Sequence, residues 1–342
     1  MMTGMLRRDF LTTAGAFAGS AALGLGPIAQ AQAQSPRKIR YITPFGFIFG
    51  FSEVLYGKTG GFFAKEGLDV EVEGGRGSAM AVQQVSAGNA LISRTGGTDL
   101  IKAYAKQPSI VAVGDCYQKD IFWIISHSDK PIKSPTDMAG KTIGVVSTGG
   151  ATENLLDMML VSKNVPVADV KREVVGNAPA AFEFVKRGRI DAFMATNDTF
   201  FALQLDKQPV HGFSADEFAP SPGQVYMVSK QALETQTEAI AKFMRGGYAA
   251  IGDMIAKKKD LAPVVASMTS EFEIAEAKRA DKGVSVLANS VEQIFEPVYR
   301  DKMASKPEIW TAAYELMVKA KIITPLDDRN FYDDRARKLA FG

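Results

Sequence analysis

One cysteine, Cys116, and two histidines, His127 and His211, are all the thiol and imidazole chemistry in 342 residues. A lone cysteine excludes an internal disulfide framework, and three such residues cannot build a Cys/His zinc site. Neither sign of charge dominates. Forty Lys+Arg face 38 Asp+Glu, and a formal +2 gives no reason to expect nucleic acid as a partner. No segment reaches the ~18 uninterrupted apolar residues of a spanning helix. What is left, 46% hydrophobic and 23% charged, is an ordinary globular composition whose length suits roughly two domains at ~100–200 residues each. No metal and no cofactor is expected.

The N-terminus reads as an address. Leu6-Arg7-Arg8-Asp9-Phe10-Leu11 precedes a small, apolar run from Thr12 to Ile28 and then Ala29-Gln30-Ala31-Gln32-Ala33. A basic start, a short apolar stretch and an Ala-x-Ala site are the parts of a secretory signal. Paired arginines followed by x-Phe-Leu resemble the twin-arginine export signal, with a general secretory signal as the alternative. Residues 1–33 are therefore expected to be removed and the remainder to work outside the bacterial cytoplasm, in the periplasm. Losing Arg7, Arg8 and Asp9 takes the formal charge from +2 to +1. About 310 residues are enough for a core that needs no disulfide.

The rest alternates strands and helices. Strands are expected at 38–43, 68–73, 90–93, 110–114, 121–125, 141–147, 170–175, 190–194 and 225–228, with helices at 52–64, 78–86, 153–162 and 179–186 between them. That alternation predicts parallel sheets covered by helices. An offset of 100 residues aligns Val70 with Val170, Ala81 with Ala181, Val85 with Val185 and Gly88 with Gly188, so both halves follow one strand–turn–helix plan. Ile240, Phe243, Met244, Gly247, Ile251, Met254 and Ile255 share one helical face, and Trp310, Tyr314, Met317 and Val318 mark another amphipathic helix. Both stripes read as core packing.

Two α/β halves with a helical return imply a two-lobed molecule whose chain crosses between lobes twice. The crossings are expected near 116–118 and near 228–230. Lobe one is then 36–117 plus 229–342, and lobe two 118–228. The ligand belongs in the cleft outside the carboxyl ends of the strands.

Four phenylalanines, Phe45, Phe47, Phe49 and Phe51, alternate around two glycines after the first strand. Such a loop either stacks on a flat or apolar ligand or tucks into the core; Phe45 and Phe47, nearest the strand end, are the candidates for contact. Two glycine-rich turns lead into helices, Gly74-Gly75-Arg76-Gly77-Ser78 and Ser147-Thr148-Gly149-Gly150-Ala151-Thr152. Helix starts offer free N–H groups to an anion, helped by the Ser78, Thr148 and Thr152 hydroxyls and the Gly149 and Gly150 backbone; plain capping is the alternative. Their placing in corresponding positions of the two lobes favours binding. Neither turn is a phosphate-cradling Walker loop or a dinucleotide fingerprint. Arg94 and Thr95 follow the third strand of lobe one and Asn197 its counterpart in lobe two. Arg94 pairs either with an anionic ligand group or, structurally, with Asp99 or Glu53. His127 and His211 fall in polar turns, and no Gly-x-Ser-x-Gly elbow is present, so catalysis has little to work with.

Three stretches carry a family resemblance. Gly60-Gly61-Phe62-Phe63-Ala64-Lys65-Glu66-Gly67-Leu68-Asp69-Val70-Glu71-Val72, Ser134-Pro135-Thr136-Asp137-Met138-Ala139-Gly140-Lys141-Thr142-Ile143-Gly144-Val145 and Val185-Lys186-Arg187-Gly188-Arg189-Ile190-Asp191-Ala192 resemble segments of ABC-importer solute-binding proteins of the sulfonate, nitrate and thiamine-precursor group. The similarity spans about residues 38–250. It implies a two-lobed (type II) periplasmic binding protein, monomeric, with two hinge crossings. It also implies that ligand is held by Phe45 to Phe47, Ser78, Arg94, Thr95, the 148–152 helix start and Asn197, and that a permease and an ATPase are the partners. The Asp-Trp-x-Pro-Asn-x-x-His run of pyrimidine binders is reduced here to Pro44, and the cysteine-rich run of the related pyrimidine-forming enzymes is missing. The reading is a non-enzymatic receptor for a small sulfonate, aromatic acid or pyrimidine-like heterocycle. The alternatives are an exported enzyme related to pyrimidine synthases and a ligand-sensing subunit of a membrane signalling system.

Overall fold

The computed structural model describes residues 35–342, and the expected export signal lies outside them. Ten strands form two five-stranded sheets. The first holds β1 (Arg37–Thr43), β2 (Leu68–Gly74), β3 (Ile92–Thr95), β4 (Ile110–Tyr117) and β10 (Gln224–Ser229), in the order β2-β1-β3-β10-β4. The second holds β5 (Phe122–His127), β6 (Thr142–Val145), β7 (Lys171–Val174), β8 (Ala192–Thr196) and β9 (Val210–Ser214), in the order β7-β6-β8-β5-β9. The two orders are the same pattern. In each, three parallel strands are followed by an antiparallel one, β10 or β5, that enters directly from a crossing.

Local sequence explains the plan. Leu68, Val70 and Val72 are buried while Asp69 and Glu71 face water, the alternation of a half-covered strand. Every residue of β4 is buried, as a strand covered on both faces requires. The 100-residue offset survives in the turns: Gly88 and Gly188 adopt φ of +74° and +68° after the helices Ser78–Ser86 and Phe182–Lys186, and Val85 and Val185 are both buried. Left-handed backbone at a helix end favours glycine because it has no Cβ to clash.

Several expectations change. The apolar run 225–228, assigned to the second lobe, lies in the first sheet, where β10 sits antiparallel between β3 and β4. Val225 to Val228 are all fully buried, so their pattern says "central strand" and cannot say of which sheet. The return crossing therefore falls before β10, in residues 215–223, instead of after it. The helix expected over 52–64 is two, Ser52–Thr59 and Phe62–Lys65, broken where Gly61 takes φ +73°. His127 ends β5 and His211 lies inside β9, so neither sits in a turn.

The crossing segments, 118–121 and 215–223, are bonded to each other. Gly223 N–H donates to Tyr117 O at 3.1 Å, Asp120 N–H to Asp216 Oδ1 at 3.1 Å, and Ser221 Oγ to Asp120 Oδ2 at 3.2 Å. From β10 the chain continues as the long helix Lys230–Ala256, bent at Gln236 (φ −137°), whose Ile240, Phe243, Met244 and Ile251 are buried against Tyr41 and Tyr226 of the first sheet. The helix Pro307–Lys319 buries Trp310, Tyr314 and Met317 on the opposite face of that sheet, in one apolar cluster with Leu155 and Met159 of the second half.

Candidate functional site

In both sheets the order in which the chain lays down its parallel strands reverses, between β1 and β3 and again between β6 and β8. Ligands of open α/β sheets bind beside such reversals, at the carboxyl ends of the strands. The segments there are the aromatic loop after β1, the end of β3, the turn after β6 and the end of β8. Two oxygens at these strand ends have no hydrogen-bond partner: Thr95 Oγ1, fully buried in the last residue of β3, and Asn197 Oδ1, in the residue after β8.

The aromatic loop divides its labour. Phe49 and Phe51 are fully buried. Phe47 is half-buried and packs on Phe272, centroids 4.9 Å apart. Phe45, also half-buried, faces both halves, with its ring 5.1 Å from Phe51 and 6.0 Å from Phe122 of β5. Gly46 permits the turn at φ +72° and donates its N–H to Gly75 O at 2.9 Å, tying the loop to the glycine-rich turn.

The two glycine-rich turns are not counterparts. Gly74–Ser78 follows β2, whereas 147–152 follows β6, which corresponds to β1. They face each other instead: a Cβ added to Gly77 would lie 2.6 Å from Ser147 Oγ, and one on Gly96 would lie 2.8 Å from Ala151 Cβ. Their donors are largely engaged inside the protein. Gly149 N–H donates to the Glu153 carboxylate, Val146 N–H to Thr152 Oγ1 at 3.1 Å, and Gly77 N–H to Pro44 O at 2.5 Å. Ser78 and Thr152 are buried, Gly150 is buried as the residue preceding the helix Ala151–Ser162, and Thr148 is exposed.

Arg94 lies in β3, among Phe51, Tyr117 and the other residues of the first sheet's apolar cluster that includes Tyr226. Its Nη1 is 2.7 Å from Glu53 Oε1 and donates to Gly50 O at 3.1 Å, and the guanidinium covers the rings of Phe51 (4.7 Å) and Tyr117 (4.3 Å). Burial alone pulls the guanidinium's pKa down, but Glu53 beside it holds it well above the ordinary value. Of the two structural partners considered for Arg94, the structure supplies Glu53; Nε and Nη2 remain without partners.

Sequence reasoning missed the group at the centre of the seam. Asp99, third residue of the helix Gly97–Lys106 and 4% exposed, accepts Asn154 Nδ2 at 2.7 Å through Oδ1. Lys102 Nζ donates to Asn154 Oδ1 at 3.0 Å. Burial pushes the Asp99 carboxyl up to about 7 against the opposing pull of Ser78, Lys102, the Ala151 N–H and Asn154. The signal available was Gly96-Gly97-Thr98-Asp99, an acid in the first turn of a helix that starts on glycine.

A crevice of about 630 Å³ lies beside the crossings, between the helix Asn197–Leu205 and the C-terminal helices. Trp123 and Phe200, stacked at 4.8 Å, form part of its wall, with amides from Asn197, Asn289 and Gln293. Of the expected site residues, Asn197 reaches it. Among the described residues no cluster of His, Cys, Asp or Glu is arranged to hold a metal.

Two topologically equivalent α/β halves joined by a paired crossing, with strand ends facing one another, define the two-lobed periplasmic binding protein fold. The chain belongs to the family described as NMT1/THI5 like, whose model matches residues 49–260. A formylaminopyrimidine-binding protein of Halalkalibacterium halodurans is 24% identical over 189 residues, covering 54% of this chain and 56% of that protein. The match thus spans a little over half the length of that relative. A solved structure from Bordetella bronchiseptica RB50 superposes with a TM-score of 0.71 at 14% identity, covering 90% of this chain and 97% of the other. The alkanesulfonate-binding protein SsuA of Xanthomonas axonopodis pv. citri, bound to MOPS, superposes with a TM-score of 0.64 at 15% identity, covering 87% and 96%.

Proposed function

We propose that this chain is the periplasmic solute-binding component of an ABC importer: a receptor, not an enzyme, that closes around a small organic ligand and presents it to a permease–ATPase pair. The observation that carries it is the pairing of two equivalent sheets through two bonded crossings, with the Gly77 turn of one meeting Ser147 of the other. A ligand that touches both strand-end surfaces favours the closed arrangement, and closure is the signal a permease reads. In this reading lobe one is residues 36–117 with the chain from β10 onward, lobe two lies between the crossings, and export removes residues 1–33. The names of its relatives, a formylaminopyrimidine binder and a sulfonate binder, support a small organic ligand.

Phe45, Thr95, Asn197 and the turn 147–152 are the contacts we assign to ligand, with Ser78 beside them. Arg94 acts from beneath, through the Gly50 carbonyl it holds.

A thermal-shift screen over sulfonates, aromatic carboxylates and pyrimidines tests the assignment, because binding to the native state raises its melting temperature. A saturable hit without turnover, accompanied by a smaller radius of gyration in solution, is the expected result. Steady conversion of the hit would favour the enzyme, and absence of any hit across the three classes would overturn the receptor.

A further inference from the structure

We propose that Asp99 is the residue that keeps anions out of this receptor: its carboxylate stands where three helix starts meet. The ligand group received there is accordingly a hydrogen-bond donor, uncharged or cationic. The inference rests on the receptor reading and specifies what that receptor accepts.

The three helices begin at Ser78, Gly97 and Ala151, and each is at least two turns long. None is capped by a side chain at its first position, where Gly77, Gly96 and Gly150 stand. Helix starts with free N–H groups attract an anion. Here the chain supplies its own. Asp99 Oδ1 takes the Asn154 amide across the seam at 2.7 Å, while Ser78 and the Ala151 N–H both favour its ionised form. Its second oxygen, Oδ2, is buried and makes no hydrogen bond. An acid in a first turn commonly just complements its own helix dipole. That role does not call for a partner from the other half of the chain, nor for 96% burial.

Parting the seam separates Asn154 and Ala151, which belong to the second half, from Ser78 and Asp99, which belong to the first. A ligand entering there meets a carboxylate with an unused oxygen. A sulfonate or nitrate would be placed against a like charge in a poorly hydrated site, which is strongly unfavourable. An amino, amidine or hydroxyl group would satisfy Oδ2 instead.

Ethanesulfonate, which stays anionic across the usable pH range, is the probe. Calorimetric titration of the full mature chain compares wild type with Asp99→Asn, which keeps the shape and the acceptor for Asn154. We expect wild type at about pH 8 to show no measurable binding and Asp99→Asn to gain at least about tenfold in affinity. Adding Ser78→Ala to Asp99→Asn should abolish that gain, placing the anion at these helix starts.

A second arm needs no substitution. Asp99 is faced by Lys102 on its own helix, whose charge favours the ionised form, and by the Asp120 carboxyl of the first crossing, a like charge, while the helix Ala151–Ser162 presents the Asn154 amide and the Ala151 N–H. With its carboxyl held up near 7, wild type at about pH 5 should bind ethanesulfonate better than at about pH 8.

Equal affinity of wild type and Asp99→Asn at neutral pH, or failure of both to bind ethanesulfonate at either pH, would overturn the role of Asp99. If Asp99→Asn does not fold, the pH comparison is repeated on Asp120→Asn: a pH dependence that persists there is assigned to Asp99, and its loss would overturn the role of Asp99. Failure of the receptor reading would show separately, as no saturable organic ligand for wild type in the screen above.

Discussion

Arg94 and Glu53 form an ion pair at 2.7 Å with 0% and 1% of their side chains exposed. Tyr226 Oη donates to the same Glu53 oxygen at 3.0 Å, and Arg94 ties the pair to the aromatic loop through Gly50 O. The pair thus fixes the underside of the loop whose outer edge, Phe45, meets the second sheet.

Removing one partner leaves the other charge buried. Arg94→Met should cost about 3–5 kcal/mol in urea unfolding, because an unpaired buried carboxylate is far more expensive than a missing contact. The double variant Arg94→Met/Glu53→Gln should recover part of that loss. A single variant as stable as wild type would show that the buried pair does not hold the loop.

Gly77 adopts φ +134°, ψ 151°, a combination that residues with a Cβ rarely reach, and it lies against Ser147. Gly77→Ala should therefore combine backbone strain of about 1–3 kcal/mol with a collision across the seam. Ser147→Gly added to it should relieve the collision and leave the strain. Solution scattering separates the two: the single variant is expected to be more open than wild type, and the double to return toward it without recovering full stability. Identical scattering curves for all three would mean that the contact does not limit closure.

The paired crossings make a comparable prediction. A Cβ on Gly223 would run into the Lys119 carbonyl, a backbone atom that cannot swing away. Gly223→Ala should spread the two segments, weaken the Gly223–Tyr117 bond and lower stability by about 1–3 kcal/mol. Hydrogen exchange at Gly223 and Asp120 reads this locally; unchanged protection there would show that the crossings move independently.

How much of this was legible beforehand follows from what each pattern encodes. Alternation in Leu68–Glu73 and the 3.6-residue stripe from Ile240 to Ile255 report burial directly, so strands and helices could be placed. The uniformly apolar run 225–228 reports burial on both faces and nothing about which sheet receives it, so the return crossing was misplaced. Gly88 and Gly188 pointed to the plan the two halves share because both end a helix in left-handed backbone, which favours glycine. The site was harder. Glycine turns at Gly77 and Gly150 showed where helices begin, but which donors remain free depends on contacts between residues far apart in sequence, such as Asp99 with Asn154. Arg94 left two readings open, a ligand anion or an ion pair with Asp99 or Glu53, because spacing alone does not say that a residue 41 positions away lies beside it.

Buried carboxyls give the molecule a pH signature whose sign is opposite to that of ordinary acid unfolding. Burial pushes Asp99, Asp115 and Asp120 up, to about 7, about 7 and about 8. In the unfolded chain an aspartate ionises near ~4, so between there and neutrality the native state holds protons that the unfolded state has released. The stability each group contributes is complete below that lower value and is lost as pH rises through the folded one. Carboxylates held low by exposed arginine or lysine partners, such as Glu73 beside Arg40, act in the opposite sense, but only around and below ~4. The urea midpoint should accordingly fall from about pH 5 to about pH 8, by at most roughly 1.4 kcal/mol per pH unit for each titrating group. Asp120 is the informative variant because it sits on the crossing, accepting Phe122 N–H at 2.7 Å and Ser221 Oγ at 3.2 Å. Asp120→Asn retains an acceptor for Phe122 while losing the titration, so its midpoint should vary less with pH than that of wild type. A wild-type midpoint that rises across this range would show that these carboxyls ionise without penalty in the folded protein.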